Sequence, residues 1–266
     1  MKRMQVKRDH GQIAVEVGGS GPLILCVPGM GESRASFARI VPGLADAGYR
    51  VAVMDLRGHG DSSVEFAAYD DPAVAGDILA VIEALDGGPA TVVGNSMGAA
   101  AGVLAAAERP DAIARLALIG PFVRDHGSAA TRLMLRLLLA RPWGPTAWRK
   151  FYTKLFSQPK AHAGHIDRSI DLLRRPGRWR AFQTTTRTSH AQVEAALPAV
   201  SKPTLVIMGD QDRDFPDPEA EARWVAEALS GQHHMITQTG HYPMLEDPGA
   251  VLEVLLPFVA SEQAHV

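Results

Sequence analysis

The run Ala90-Thr91-Val92-Val93-Gly94-Asn95-Ser96-Met97-Gly98-Ala99-Ala100-Ala101 decides the reading of the fold. Residues 90–93 form a short apolar run that reads as a buried strand. Residues 97–108 are half alanine and read as a helix. Between them stands Gly94-Asn95-Ser96-Met97-Gly98, of the form G-x-S-x-G. The two glycines allow a sharp turn and a close approach of strand to helix. Ser96 is then expected at a strained tip, hydroxyl exposed, over a helix N-terminus that favours developing negative charge. The pentapeptide alone is short, and the strand–turn–helix setting gives it weight.

On either side the same rhythm continues. Leu23–Val27 (LILCV), Arg50–Met54 and Leu116–Ile119 read as strands, with helices expected at 36–47 and at 72–86, where Pro72 marks the start. Pro42 is a weak point in the first of these helices. Near the C-terminus a strand at 204–208, a helix at 218–229, a strand at 234–237 and a helix at 249–260 follow. Continuous apolar strands separated by helices predict a mostly parallel, doubly wound α/β sheet covered on both faces.

Residues 122–197 break this rhythm, with no strand-like run and several short helical stretches punctuated by RPWGP and RRPGR. The segment holds fourteen Lys/Arg and four Asp/Glu, a net of +10, which leaves −12 on the remainder. A helical cap insertion over the site face is expected, on a core made of residues 1–121 and 198–266. Trp143, Trp148, Phe151, Tyr152, Trp179 and Phe182 are candidates for the pocket lining, or for packing within the cap.

The 266 residues suffice for a self-supporting core, and 46% hydrophobic with 21% charged residues excludes disorder as the main state. The single cysteine, Cys26, rules out an intramolecular disulfide and reads as a small core residue suited to a reducing compartment. The basic N-terminus leads into polar residues rather than an apolar signal region, and no run approaches the roughly 20 apolar residues of a membrane span. A cytoplasmic protein is expected. The net charge of −2 carries no nucleic-acid footprint.

A serine nucleophile needs a base. Of ten histidines, His241 lies in TGHYPMLEDP, a loop after a strand, where a doubly wound sheet places its site. His59, in RGHGDS, competes on location, but its flanking glycines suit a turn. His233 and His234 fall at the wrong strand end, and His126, His162, His165 and His190 belong to the expected cap as surface or pocket residues. The base needs a carboxylate. MGDQDRDFP, after the strand at 204–208, offers Asp210, Asp212, Asp214 and Asp217, which spacing alone does not separate. Asp125 is a further candidate.

Together these residues resemble the α/β-hydrolase superfamily, over residues 10–260 apart from the variable cap. The order Ser96, Asp212, His241 fits, and Asp55-Leu56-Arg57-Gly58-His59-Gly60-Asp61-Ser62 resembles the family's D-x-R-G-x-G-x-S turn. Gly209-x-x-Asp212-x-x-x-Pro216 resembles its acid loop, which selects Asp212. Gly240-His241-x-Pro243-x-x-Glu246-x-Pro248 resembles its histidine loop. The resemblance implies catalytic Ser96, Asp212 and His241, with the backbone N–H groups of Met30 and Met97 as the oxyanion hole. Both methionine side chains would border the acyl pocket. In Val27-Pro28-Gly29-Met30-Gly31, Pro28 stands where many relatives have His, but the hole needs N–H groups rather than that side chain.

The function expected is a serine hydrolase of carboxylic esters, thioesters or lactones, acting on a small-molecule acyl substrate with no cofactor, no metal, no nucleic acid and no membrane partner. Ser96 at the elbow, rather than Asp, excludes the epoxide-hydrolase and haloalkane-dehalogenase mechanisms of this fold. Carbon–carbon bond hydrolases, whose histidine is commonly followed by Trp rather than Tyr242, and perhydrolases are alternatives, as is a catalytically silent receptor. The dense group Arg174, Arg175, Arg178 and Arg180 would attract an anionic substrate or carrier, or be a solvated helix face.

Overall fold

In the computed structural model, residues 1–125, 134, 136–140 and 142–261 are described. His126, His265, Arg141 of RPWGP and part of the expected cap lie outside the described residues.

The N-terminus forms a hairpin that the sequence did not announce, β1 (Lys2–Arg8) and β2 (Gly11–Gly18), paired antiparallel. β3 (Leu23–Val27), β4 (Arg50–Met54), β5 (Ala90–Asn95), β6 (Ile113–Ile119), β7 (Thr204–Gly209) and β8 (Gln232–Ile236) complete one eight-stranded sheet of order β1-β2-β4-β3-β5-β6-β7-β8. β2 meets β4 antiparallel, and every pairing from β4 through β8 is parallel. β3, β5 and β7 are buried along their whole length, which is why they read as unbroken apolar runs.

Helices cover both faces. α1 (Val41–Asp46) is shorter than the stretch expected at 36–47, and a 3-10 turn at Arg34–Phe37 precedes it. Pro42 sits in its first turn, where the missing N–H costs no hydrogen bond, so it starts the helix rather than weakening it. α2 (Asp71–Ala84) is capped by Asp70, whose side chain accepts from Ala73 N at 3.2 Å. α3 (Met97–Glu108) follows Ser96 directly. Between β6 and β7 lie α4 (Gly144–Lys154), α5 (Ala163–Arg174), α6 (Arg178–Thr185) and α7 (Ala191–Ala196), with no strand among the described residues of this segment. α8 (Pro218–Ala228), the single-turn α9 (Pro243–Glu246) and α10 (Pro248–Ala260) close the chain. Asp217 and Asp247 cap α8 and α10 through bonds of 2.9 and 3.0 Å, each cap worth about 0.5–2 kcal/mol.

One face of the sheet packs on α2, α3 and α8. On the other, strand residues such as Ile24, Val93 and Ile207 join α1, α10 and the insertion residues Trp148, Tyr152, Trp179 and Phe182 in one buried cluster. The parallel strands point their C-terminal ends the same way, which gathers the loops after β3, β5, β6, β7 and β8 at one edge.

Candidate active site

Ser96 takes φ +54 and ψ −118, a left-handed conformation that costs a non-glycine residue about 1–3 kcal/mol. Close packing enforces it. A Cβ on Gly98 would collide with the Val27 carbonyl, and one on Gly94 would lie 2.5 Å from Ala99 N. The strand therefore turns into α3 with no room for side chains at either glycine, and Ser96 N–H is anchored on Ile119 O at 2.9 Å.

After β7 the chain turns and buries Asp212, and after β8 it buries His241; each is 1% exposed. Asp212 Oδ2 lies 2.6 Å from His241 Nδ1, and Asp212 Oδ1 accepts from Asp214 N at 3.0 Å. Gly120, at φ +52 after β6, leaves space for the pair, since a Cβ there would lie 3.0 Å from the His241 ring. Burial alone would lower the histidine's pKa. The Asp212 carboxylate overrides it through charge and hydrogen bond, with help from Asp214 and Glu32, and raises it to about 9.

The four aspartates that spacing left unresolved thus have separate duties. Asp212 pairs with His241 Nδ1, Asp217 caps α8, and Asp210 is exposed. Asp214 lies half-buried with Oδ2 3.8 Å from His241 Nε2. Asp125 instead accepts from Ser189 Oγ and His190 N at 2.7 and 2.8 Å. His59 is buried away from the site, its Nδ1 3.0 Å from Arg57 O, and burial holds its pKa down at about 4. The turn around it is structural. Asp55 accepts the N–H groups of Arg34 and Asp61, and Arg57 makes a two-pronged pair with Asp77 at 2.8 and 2.7 Å.

Ser96 and His241 line one cavity of about 210 Å³, together with Met30, Phe122, Trp148, Phe151 and Tyr242. A larger, open groove near Arg34 and Asp61 holds neither Ser96 nor His241. Several expectations need correction. Met30 borders the cavity, but the Met97 side chain is fully buried in the core beneath α3. Of the six aromatic candidates only Trp148 and Phe151 line it. Trp143 is exposed, Tyr152 donates to Glu32, and Trp179 and Phe182 pack on each other. The arginine group is also away from the cavity. Arg174 pairs with Asp171 at 3.3 Å, Arg175 with Asp61 at 3.7 Å, and Arg178 donates to Ser62 O at 2.8 Å.

Three supports escaped the sequence reading. Asn95 Nδ2 donates to Ile119 O and to His241 O, at 3.1 and 3.2 Å, and so ties the serine turn to the histidine loop. His241 N–H is held by Leu155 O at 2.8 Å, from the helical insertion. Glu246 accepts Gly240 N and Ser157 N, each at 2.8 Å, and joins the histidine loop to that insertion a second time. Asn95 to His241, Leu155 to His241 and Ser157 to Glu246 are contacts between residues far apart in the chain, which no local pattern announces, whereas Gly240 to Glu246 lies within the histidine loop.

As possible cation ligands, Asp212, Asp214 and His241 bring donor atoms within 4.8 Å of one another. The Asp212–His241 bond already consumes two of them, so a cation there would compete with the orientation of the histidine.

Residues 22–248 match the family model described as the alpha/beta hydrolase fold. The chain belongs to the α/β-hydrolase family. It is 30% identical to a pimeloyl-[acyl-carrier protein] methyl ester esterase of Stenotrophomonas maltophilia, over 92% of this chain and 96% of the relative. It is 25% identical to a pyrrolizixenacetamide deacetylase of Xenorhabdus hominickii, over 97% and 98%. Among solved structures, a thermophilic esterase from Thermogutta terrifontis superposes with a TM-score of 0.82 at 26% identity, over 97% of this chain and 98% of that one. As an α/β-hydrolase the protein is a hydrolytic enzyme, and no helix among its described residues is long and apolar enough to cross a membrane.

Proposed function

We propose that this α/β-hydrolase is a serine hydrolase of small carboxylic esters, thioesters or lactones. Ser96 is the nucleophile, His241 the general base and then acid, and Asp212 the group that orients it. The observation that carries this reading is the sharing of one cavity by a serine at φ +54 and a buried histidine whose Nδ1 is fixed by Asp212 at 2.6 Å. With Nδ1–H given to Asp212, the neutral ring keeps Nε2 as an acceptor for the serine proton.

Ser96 Oγ attacks the carbonyl carbon as Nε2 takes its proton. The N–H groups of Met30 and Met97 hold the oxyanion, backed by the N-terminus of α3. Collapse expels the alcohol or thiol with the proton from Nε2 and leaves the acyl-enzyme. Water, deprotonated by Nε2, then releases the acid and regenerates Ser96. The relatives named esterase and deacetylase support acyl transfer to water as the reaction. Residues 122–197 serve as a cap in this reading, because Trp148, Phe151, Leu155 and His190 from that segment line the cavity. The small cavity favours a small acyl substrate, and the distance of the arginine group from it removes the support for an anionic one. A cytoplasmic location suits Cys26, which is fully buried with its thiol pKa pushed up.

The test is hydrolysis of p-nitrophenyl acetate by the wild type and by Ser96→Ala. Loss of turnover in the variant is expected. Equal rates with ligand binding retained would favour a silent receptor.

A further inference from the structure

The cavity has two unlike linings. Met30, Trp148, Phe151 and Tyr242 make it largely apolar on one side, whereas Asp125, Thr186, Thr188, His190 and Asp214 add a polar set. No Lys or Arg lines it among the described residues.

One member of the polar set, His190, belongs to a second histidine–aspartate pair, with Asp71 behind the lining. His190 Nδ1 lies 2.6 Å from Asp71 Oδ2, the same atoms at the same distance as in His241 and Asp212. Asp71 is wholly buried in the first turn of α2, and its pKa is raised by that burial against the pull of His190. The backbone of His190 is fixed separately, through its N–H to Asp125 Oδ1. The Phe122 ring lies 5.8 Å from the His190 ring and 6.0 Å from the His241 ring, so the two imidazoles flank one aromatic side chain.

This arrangement is costly for packing alone. Burying Asp71 incurs a desolvation penalty that an apolar pair of similar volume would avoid. In the tautomer that gives Nδ1–H to Asp71, Nε2 is the acceptor nitrogen, and no protein partner for it occurs among the described residues. Thr188 Oγ1 is buried with no partner among the described residues, a state that costs about 1–3 kcal/mol unless a ligand relieves it. His190 Nε2 and Thr188 Oγ1 both have acceptor capacity for a donor group of a ligand.

We propose that His190, held by Asp71, forms with Thr188 a specificity subsite for a hydrogen-bond-donating group of the substrate, an alcohol or a protonated amine. The inference rests on the serine-hydrolase reading and narrows its substrate class. His190 binds and positions the substrate and takes no part in the proton transfers at Ser96.

The experiment uses two matched ester series, one varied at the end of the acyl chain and one at the end of the alcohol. Each series ends in methyl, hydroxyl, ammonium or carboxylate, and kcat/KM is measured for the wild type, His190→Leu, Asp71→Asn and Thr188→Val. Titration of Ser96 with a fluorophosphonate normalises for competent enzyme. In at least one series the wild type should favour hydroxyl or ammonium over methyl by about tenfold or more, with carboxylate, which has no proton to donate, gaining nothing over methyl. The hydroxyl and ammonium arms separate the two donor types. His190→Leu should bring the donor-to-methyl ratio within about twofold of unity, and Asp71→Asn and Thr188→Val should each reduce it. A wild-type ratio near unity in both series, a carboxylate preference, or a ratio that survives His190→Leu would overturn the inference. A wild type whose Ser96 is not labelled would overturn the hydrolase reading instead.

Discussion

Asp212 Oδ2 stands 2.6 Å from His241 Nδ1, and its other oxygen accepts the N–H of Asp214. Both oxygens are therefore fixed, and the carboxylate cannot rotate away from the ring without breaking a backbone contact. The imidazole is oriented by a group that is itself held, which keeps Nε2 available in one tautomer.

Such a unit should fail as a whole. Ser96→Ala and His241→Ala are each expected to lower kcat about 10⁴-fold or more, and the double variant little further. Steady-state rates of the three proteins check this. Losses that multiply would show that the two side chains act separately.

The pH profile follows from the raised histidine. His241 must be neutral to accept the serine proton, so kcat/KM should rise with pH along a limb displaced from the ordinary 6.5 toward about 9. Asp212→Asn removes the largest raising influence and should move that limb down while lowering the plateau about 10⁴-fold. Asp214→Asn should move it down by less, and Asp210→Asn should leave it in place. For stability the sign is that of a raised group: the stabilisation from the Asp212–His241⁺ pair is fully present below about 6.5 and is lost as pH rises through about 9.

Strain at the turn predicts a gain on removing the side chain. In Ser96→Gly the left-handed φ no longer meets a Cβ, whereas Ser96→Ala keeps the clash. The glycine variant loses part of the gain to unfolded-chain entropy, about 0.4–1 kcal/mol. A net advantage of about 1 kcal/mol over the alanine variant is expected in urea unfolding. A glycine variant less stable than the alanine variant by the entropy term alone, about 0.4–1 kcal/mol, would show that the turn stores no strain.

Glu246 links the histidine loop to the helical insertion through Gly240 and Ser157. Glu246→Ala leaves those donors unpaired and should cost about 2–4 kcal/mol of stability. Because His241 follows Gly240 directly, kcat should fall more than KM rises. A variant with unchanged kcat and only a higher KM would confine the role of Glu246 to substrate access.

The parts legible in sequence were those written in local pattern. β5, the Gly94–Gly98 turn and α3 are contiguous, so their geometry is encoded within one window. The N-terminal hairpin was not legible. β1 is an edge strand in which only Val6 is buried, and the alternation it shows is mostly polar. Spacing could not choose among Asp210, Asp212, Asp214 and Asp217, because the loop's direction, not its composition, decides which carboxylate meets His241. His190 was legible as a surface or pocket residue of the cap but not as half of a buried pair, since its partner Asp71 lies 119 positions away. Met97 was placed at the pocket by its position beside Ser96, but the first turn of α3 directs its side chain into the core.

The most direct test of the account is acid-quench mass spectrometry after millisecond mixing with p-nitrophenyl acetate. An acetyl group on the peptide that contains Ser96 is predicted in the wild type, at a level matching the burst of p-nitrophenol, with longer persistence in a variant slowed in deacylation. Turnover without any acyl-enzyme on Ser96, or an adduct on another residue that survives Ser96→Ala with activity intact, would contradict it.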